Sequence, residues 1–192
     1  MLNSASSRIG FALFSMALFL AGCFAPVHIA KNIWFVAGKM QEPVSLRPKY
    51  DAYAKLTSLT VRSPFDNTNL AVLRRDGTIA FDAYNAFASS PTVMLKFAAV
   101  DALNSAALFK GVYGSGSSVR AAYDVEMEVF RFALDCTSRR EAVVEVGIVL
   151  LNGRAPERIS LGKSSVDASD GNYSAAFTEA FFAAVKSAAA GL

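Results

Sequence analysis

The sequence predicts an α+β protein in which two main helices form one layer on a mostly antiparallel sheet of about five to six strands. Apolar and acidic residues alternate through 123–129, which is the period of a strand with one buried face. Asp76-Gly77 separates two strand-like runs, and this dipeptide is typical of a hairpin turn. Apolar residues recur at helical spacing in 93–107 and in 177–188. Together these patterns predict a sheet with helices packed on it.

The first half of the folded region contains predicted strands followed by a helix. Residues 56–61 and the hairpin 70–84 are rich in Leu, Val and Thr, and turn-forming residues separate the runs. Ser89-Ser90-Pro91 supplies capping hydroxyls and a proline in the first helical turn. We therefore expect a helix from this point to Leu108. Its apolar stripe consists of Val93, Met94, Phe97, Val100, Leu103 and Ala107.

The second half predicts a meander of strands and a final helix. Gly114-Ser115-Gly116-Ser117-Ser118 is a flexible loop. The strand after it loses its alternation at Phe130, which predicts a bulge or a change of burial. Residues 142–151 are almost continuously apolar, as expected of a central strand, and 157–166 form the next strand. The last helix is predicted over about Tyr173–Ala190. Its apolar stripe consists of Phe177, Phe181, Val185 and Ala188.

The N-terminal region has the pattern of an export signal. Arg8 precedes a short apolar run that ends in Leu20-Ala21-Gly22-Cys23, and these four residues resemble a bacterial lipobox. The run is shorter than the roughly 20 residues that a membrane-spanning helix needs. The resemblance implies cleavage between Gly22 and Cys23 and acylation of Cys23. An ordinary signal peptide with a chance cysteine, or an uncleaved anchor, remains the alternative.

This interpretation divides the chain into a lipoprotein signal peptide (1–22), a tether or N-terminal segment (23–50) and a single domain (51–192). Removing the signal leaves 192 − 22 = 170 residues, enough for one core. The net charge of +3 includes no basic block of the kind that binds nucleic acid. Cys136 then has no disulfide partner, and one isolated His28 offers neither a zinc site nor a Cys-His pair. We expect no metal and no cofactor.

The segment that follows Cys23 is unusually apolar. It includes Ile33-Trp34-Phe35-Val36, where a polar tether would be usual. The segment either packs on the domain or lies on the membrane or a partner, with Trp34 at the interface.

Two polar groups could be mistaken for catalytic sites. Asp124, Glu126 and Glu128 share one face of a strand, where like charges repel, so a solvated face is the better interpretation. Asp82 with Tyr84 and Asn85 lacks a nucleophile or a histidine base, and we interpret it as loop architecture. Nothing in the sequence argues for an enzyme.

The order of features over residues 56–110 resembles the auxiliary lipoproteins of ABC-type lipid transport systems, the paraquat-inducible lipoprotein family. A strand ending at Arg74 is followed by Asp82-Ala83-Tyr84-Asn85-Ala86-Phe87-Ala88 and then by Ser90-Pro91-Thr92-Val93-Met94-Leu95. The family motif maps onto Arg74, Tyr84, Phe87, Pro91 and Leu95, for which we expect structural roles.

This resemblance implies a non-catalytic lipoprotein that is held at the outer membrane, faces the periplasm and serves envelope lipid transport. The implied partners are a substrate-binding protein of the mammalian-cell-entry type, which bridges the envelope, and ABC transporter components. Phe24 after the cysteine is not the aspartate associated with inner-membrane retention in enteric bacteria. A homo-oligomer is left open. The alternative is a structural assembly or pilot lipoprotein of another outer-membrane machine.

The candidate partner surface is the loop Gly114, Ser115, Gly116, Ser117 and Ser118. It is flexible and has no bulky side chains. A plain connector is the alternative, and the composition favours it over a partner surface.

Substitution of Cys23 tests the lipidation hypothesis. Cys23→Ser should abolish incorporation of radiolabelled palmitate and leave a slower-migrating precursor, because the acyl acceptor is lost. The unaltered protein should resist extraction by high salt and yield to detergent, since stable anchoring needs more than one acyl chain. Equal palmitate incorporation by the two proteins would contradict the lipobox interpretation.

Overall fold

One mixed β-sheet organises the fold. The computed structural model describes residues 30–38, 48–153 and 155–192, so the predicted signal peptide, Gly22, Cys23, Phe24 and His28 lie outside the described residues. The sheet consists of β1 (Asn32–Trp34), β2 (Tyr50–Val61), β3 (Asn69–Leu73), β4 (Ile79–Phe87), β5 (Phe109–Gly114), β6 (Tyr123–Asp135), β7 (Glu141–Asn152) and β8 (Ala155–Asp167). The helices are α1 (Pro91–Ser105) and α2 (Tyr173–Ala190).

Strand β6 is the centre of the sheet. Along one edge it pairs antiparallel with β7, which pairs antiparallel with β8. Along its other edge it pairs parallel with two strands in succession. β2 pairs with its first half, where Leu56 is opposite Val125, and β3 pairs with its second half, where Val72 is opposite Leu134. β5 extends the sheet beyond β2, and β4 and then β1 extend it beyond β3.

The predicted sheet was wrong in its size and in its strand directions. The described residues form eight strands, and β1–β4, β2–β5, β2–β6 and β3–β6 are parallel pairs. The α+β class itself holds. The sequence pattern overlooked the short β1 and β5, and it assumed that strands close in sequence are hairpin partners. β5 and β6 are consecutive, yet they pair with opposite edges of β2.

Two local predictions for the sheet are confirmed. β3 and β4 form an antiparallel hairpin, with Leu73 opposite Ile79, and Gly77 adopts the positive φ that this turn requires. The register of β6 against β7 shifts between Val129 and Arg131, which places the predicted bulge at Phe130. After the bulge, Phe132 again points into the core and is 1% exposed.

Helix α2 packs on the inner face of β7 and β8, and its range matches the predicted one. All four residues of the predicted stripe are buried: Phe177, Phe181, Val185 and Ala188. Phe177 lies 4.6 Å from Phe132 and 5.5 Å from Phe87 between ring centroids, so α2 joins β6 and β4 in one aromatic cluster.

Gly162 on β8 allows α2 to approach the sheet closely. A Cβ atom at this position would lie 2.0 Å from the carbonyl oxygen of Ala184 and 2.6 Å from the amide nitrogen of Ala188. Both contacts are with helix backbone, so α2 itself would have to move. A side chain at residue 162 is therefore incompatible with the observed distance between helix and sheet.

The buried face of α1 differs from the predicted one. Phe97 is 77% exposed and Val93 is 52% exposed, whereas the helix buries Met94, Leu95, Ala98, Ala99, Ala102 and Leu103. Alanines bring the helix backbone close to β2, β5 and α2, and this close packing decides the orientation. The sequence pattern weighted the largest apolar side chains. It was right for Met94 and Leu103 and wrong for Val93 and Phe97.

The segment before β2 is tied into the domain. β1 pairs parallel with β4, and Trp34 donates from Nε1 to Oδ1 of Asn85 at 2.9 Å. Val36 is 1% exposed, and the amide of Ala37 donates to the hydroxyl of Thr178 at 3.2 Å. Residues 32–37 therefore pack on the domain, as the first of the two interpretations of this segment has it.

Gly162→Ala should lower the free energy of unfolding by about 1–3 kcal/mol, the usual cost of overpacking. Gly116→Ala is the matched control, because a Cβ atom at residue 116 meets no atom within 4 Å. Urea denaturation of the two variants measures the difference. Equal stability would mean that α2 is farther from β8 than the structure places it.

The two phenylalanines that the sequence places on helix stripes should behave differently. Phe181→Ala should cost about 3–5 kcal/mol of unfolding free energy, because this ring is fully buried. Phe97→Ala should change it by no more than about 0.5 kcal/mol, because the ring faces solvent. Thermal or urea unfolding measures both values, and a large loss at Phe97 would show that α1 is rotated.

Candidate binding surfaces

A groove lies between α1, β2 and the end of β5. We call it the Phe97 groove; its volume is about 250 Å³. It is lined by Leu56, Thr57, Ser58, Leu59, Lys96, Phe97, Val100, Gly114, Ser115 and Gly116. The exposed ring of Phe97 forms part of one wall, and the glycine-serine loop singled out by the sequence forms part of another.

Polar contacts hold the walls of the Phe97 groove in place. The side chain of Asn104 on α1 accepts from the amide of Val112 at 2.7 Å and donates to its carbonyl at 3.0 Å, which joins the helix to β5. The ammonium group of Lys55 donates to the carbonyl of Ser117 at 2.9 Å. The amide of Ser117 donates to the carbonyl of Gly114 at 3.0 Å and closes the turn.

The loop is therefore anchored at Ser117, while Ser115, Gly116 and Ser118 are exposed. Of these, Ser115 and Gly116 reach the groove. An aromatic ring beside small residues and backbone amides can accept an apolar side chain from a partner.

A second depression, of about 350 Å³, lies on the outer face of the sheet. Ile159 and Leu161 on β8 are each 69% exposed there. The bulged Phe130 lies over Gly147, where a Cβ atom would come within 2.8 Å of the ring. The guanidinium of Arg62 covers Phe130 at 4.6 Å from the ring centroid and bonds to Glu128 at 2.8 Å.

Glu128 is the residue of the acidic strand face that forms an ion pair in this structure, and its partner is Arg62. No three His, Cys, Asp or Glu side chains gather in metal-binding geometry within the described ranges. Asp76, in the turn between β3 and β4, has a local structural role. It accepts hydrogen bonds from the amide and the hydroxyl of Thr78, and these bonds hold the pKa of its carboxyl below the ordinary 3.8.

The Asp82 constellation is structural. Asp82 accepts from the amides of Tyr84 and Asn85 at 2.7 and 3.2 Å and from the Asn85 side-chain amide at 2.9 Å. Asn85 in turn accepts from Trp34 on β1. The carboxylate thus shapes β4 and, through Asn85, helps to receive β1.

The five residues of the family motif divide into two groups. Phe87, Pro91 and Leu95 are buried, and they join the end of β4 to the start of α1. Tyr84 is 61% exposed. Arg74 is exposed beside the hairpin turn, where its amide donates to the carbonyl of Thr78 at 2.9 Å. Cys136 is a free, half-buried thiol.

Sequence reasoning selected the loop at 114–118 but missed its partner Phe97 and the apolar patch on β8. The alternating pattern of β8 contained a usable indication, because Ile159 and Leu161 occupy the same side of one strand. For α1, the three alanines at 98, 99 and 102 indicated a close-packed face different from the one that carries Phe97.

No protein-family model matches the sequence, and no curated protein matches it. Solved structures do resemble the fold. Protein XCC0632 from Xanthomonas campestris, described under the family model DUF330, is 18% identical with a TM-score of 0.65, over 83% of this chain and 93% of that one. A second crystal structure, of an uncharacterised protein, is 11% identical with a TM-score of 0.61, over 84% and 95%.

The PelC dodecamer from Paraburkholderia phytofirmans is 16% identical with a TM-score of 0.41, over 77% of this chain and 93% of that one. At these identities the first two similarities establish a shared fold alone. Within the residues that the structure describes, neither helix is long and apolar enough to cross a membrane.

Proposed function

We propose that the protein is a non-catalytic lipoprotein subunit of an ABC-type envelope lipid transport system. In this proposal Cys23 anchors it in the outer membrane, facing the periplasm, and the domain docks a periplasm-spanning partner of the mammalian-cell-entry type through the Phe97 groove. The single observation that carries the docking proposal is the exposure of Phe97 beside the loop 114–116.

The chemistry of the Phe97 groove supports binding. An exposed aromatic ring next to a concave surface is typical of interaction sites, because the ring gains most from being removed from water. The groove is walled by a helix and a strand that Asn104 joins, so little conformational freedom is lost on docking.

The residues of the resemblance support a scaffold role. Phe87 packs on Phe132 and Phe177, and Pro91 begins α1. These residues position the helix that carries Phe97. The buried residues of the motif hold α1 in place, and α1 presents Phe97 at the groove. This arrangement is consistent with a protein that acts by binding.

A pull-down of the tagged protein from detergent-solubilised membranes, followed by mass spectrometry, tests the proposal. Recovery of a tunnel-forming lipid-binding protein is expected. Recovery of only secretion or pilus components would favour the assembly or pilot lipoprotein instead.

Matched variants locate the surface. Phe97→Ser and Ser115→Trp should each remove the partner, the first by deleting the exposed ring and the second by filling the groove. A hot-spot loss of about 2 kcal/mol corresponds to roughly thirtyfold in Kd. Val93→Ser and Ser118→Trp are the controls, because residues 93 and 118 are exposed on the same elements but do not line the groove. Equal binding by all four variants, with unfolding curves unchanged, would contradict docking at this groove.

A further inference from the structure

A cluster of exposed apolar side chains lies around β1. Residues 33 to 36 alternate: Trp34 packs edge-on against Tyr173 at 5.4 Å and Val36 is buried, whereas Ile33 and Phe35 are 62% and 53% exposed. Alternate residues of this segment therefore point to opposite sides, and Ile33 and Phe35 remain in solvent.

Tyr84 extends this cluster on the neighbouring strand. Ile33 is opposite Ala86 in the β1–β4 pair, and Tyr84 lies two residues before Ala86 on β4. Its ring is 61% exposed. The ammonium group of Lys31, just before β1, donates to Oδ1 of Asn69 at 2.9 Å. We call Ile33, Phe35 and Tyr84, with Lys31 at the margin, the β1 patch.

We infer that the β1 patch rests on the surface of the lipid bilayer in which the protein is anchored. This inference rests on the proposed lipid anchor at Cys23. Nine residues lie between Cys23 and Ile33, and an extended chain over these ten residue steps spans at most about 35 Å. The bilayer is thus within reach of the patch at all times.

The connecting sequence favours contact with the bilayer. Residues 24–30 contain no Asp, Glu, Lys or Arg, so no charged group in the connection opposes its approach to lipid. The patch combines aliphatic and aromatic side chains with one cation, the combination that is stable at the boundary between headgroups and acyl chains. The three apolar residues line neither the Phe97 groove nor the depression on the outer sheet face.

Such a contact would orient the domain. β2 and β5, which carry one side of the Phe97 groove, adjoin the first half of β6, whereas β3, β4 and β1 adjoin the second half. A domain that rests on β1 therefore leaves the Phe97 groove accessible to a partner in the periplasm.

The test uses the acylated full chain on phosphatidylcholine vesicles whose acyl chains carry bromine. Trp34 is the only tryptophan, so Trp34→Phe gives a background without one. Ile33→Trp in that background should show a blue shift and loss of emission relative to vesicles without bromine. Phe97→Trp in the same background is the matched control, an exposed site in the Phe97 groove, and its emission should not change.

A second measurement covers the case in which Trp34→Phe fails to fold. In the unaltered chain, bromine should partly quench Trp34, and the double substitution Ile33→Ser with Phe35→Ser should remove that quenching. Two results on vesicles that hold acylated protein would overturn the inference and leave the proposed anchor intact. One is that the Ile33→Trp emission is not quenched. The other is that Ile33→Trp and Phe97→Trp are quenched equally. A blue shift that depends on protein concentration and not on lipid would assign the patch to a second copy and also overturn it. Mass spectrometry showing an unmodified Cys23 would refute the anchor and the inference with it.

Discussion

The packing of α2 on the inner face of β6, β7 and β8 is the constraint on which the rest of the structure depends. Phe177 and Phe181 fill the space between helix and sheet, and Gly162 lets the helix backbone reach β8. Helix α2 also bonds to the N-terminal segment, and the residue just beyond the helix bonds to the start of β2. The Thr178 hydroxyl accepts from Ala37, and the carbonyl of Leu192, just beyond the helix, accepts from the hydroxyl of Tyr50 at 2.9 Å. The hydrophobic effect favours burial at this interface in any orientation of the helix. The close backbone contact at residue 162 restricts α2 to one position on the sheet.

A single helical layer leaves apolar residues on other surfaces. α1 buries its alanine-rich face, so Phe97 faces solvent beside the loop 114–116. On the outer sheet face, Ile159 and Leu161 remain exposed, while the guanidinium of Arg62 covers the ring of Phe130. Ion pairs of Glu145 with Arg131 and Lys163 lie on the neighbouring strands. Of these surfaces, the Phe97 groove carries the proposed binding function, because it presents apolar area that the core does not use.

The candidate site could be predicted only in part. The loop at 114–118 was evident from its composition, since glycine and serine in succession rarely continue a strand or helix. Its neighbour Phe97 was assigned to the core, because a helical stripe identifies an apolar side but not which of two overlapping sides the sheet selects. The Asp82 group was interpreted as loop architecture, but it lies within β4. There its carboxylate bonds to the amides of Tyr84 and Asn85, as a carboxylate two residues before an amide tends to do.

The sequence by itself determined the elements whose causes are local. These are the 18 residues of α2, the Asp76-Gly77 hairpin, the alternation of β6 and its bulge at Phe130. Each depends on periodicity or turn chemistry within a few residues. The tertiary structure alone decided that β2 and β3 share one edge of β6, that β1 pairs with β4, and that α1 turns Phe97 outward. Parallel strand pairing and the rotation of a helix depend on contacts between residues far apart in the chain. A pattern within a few residues cannot predict those contacts.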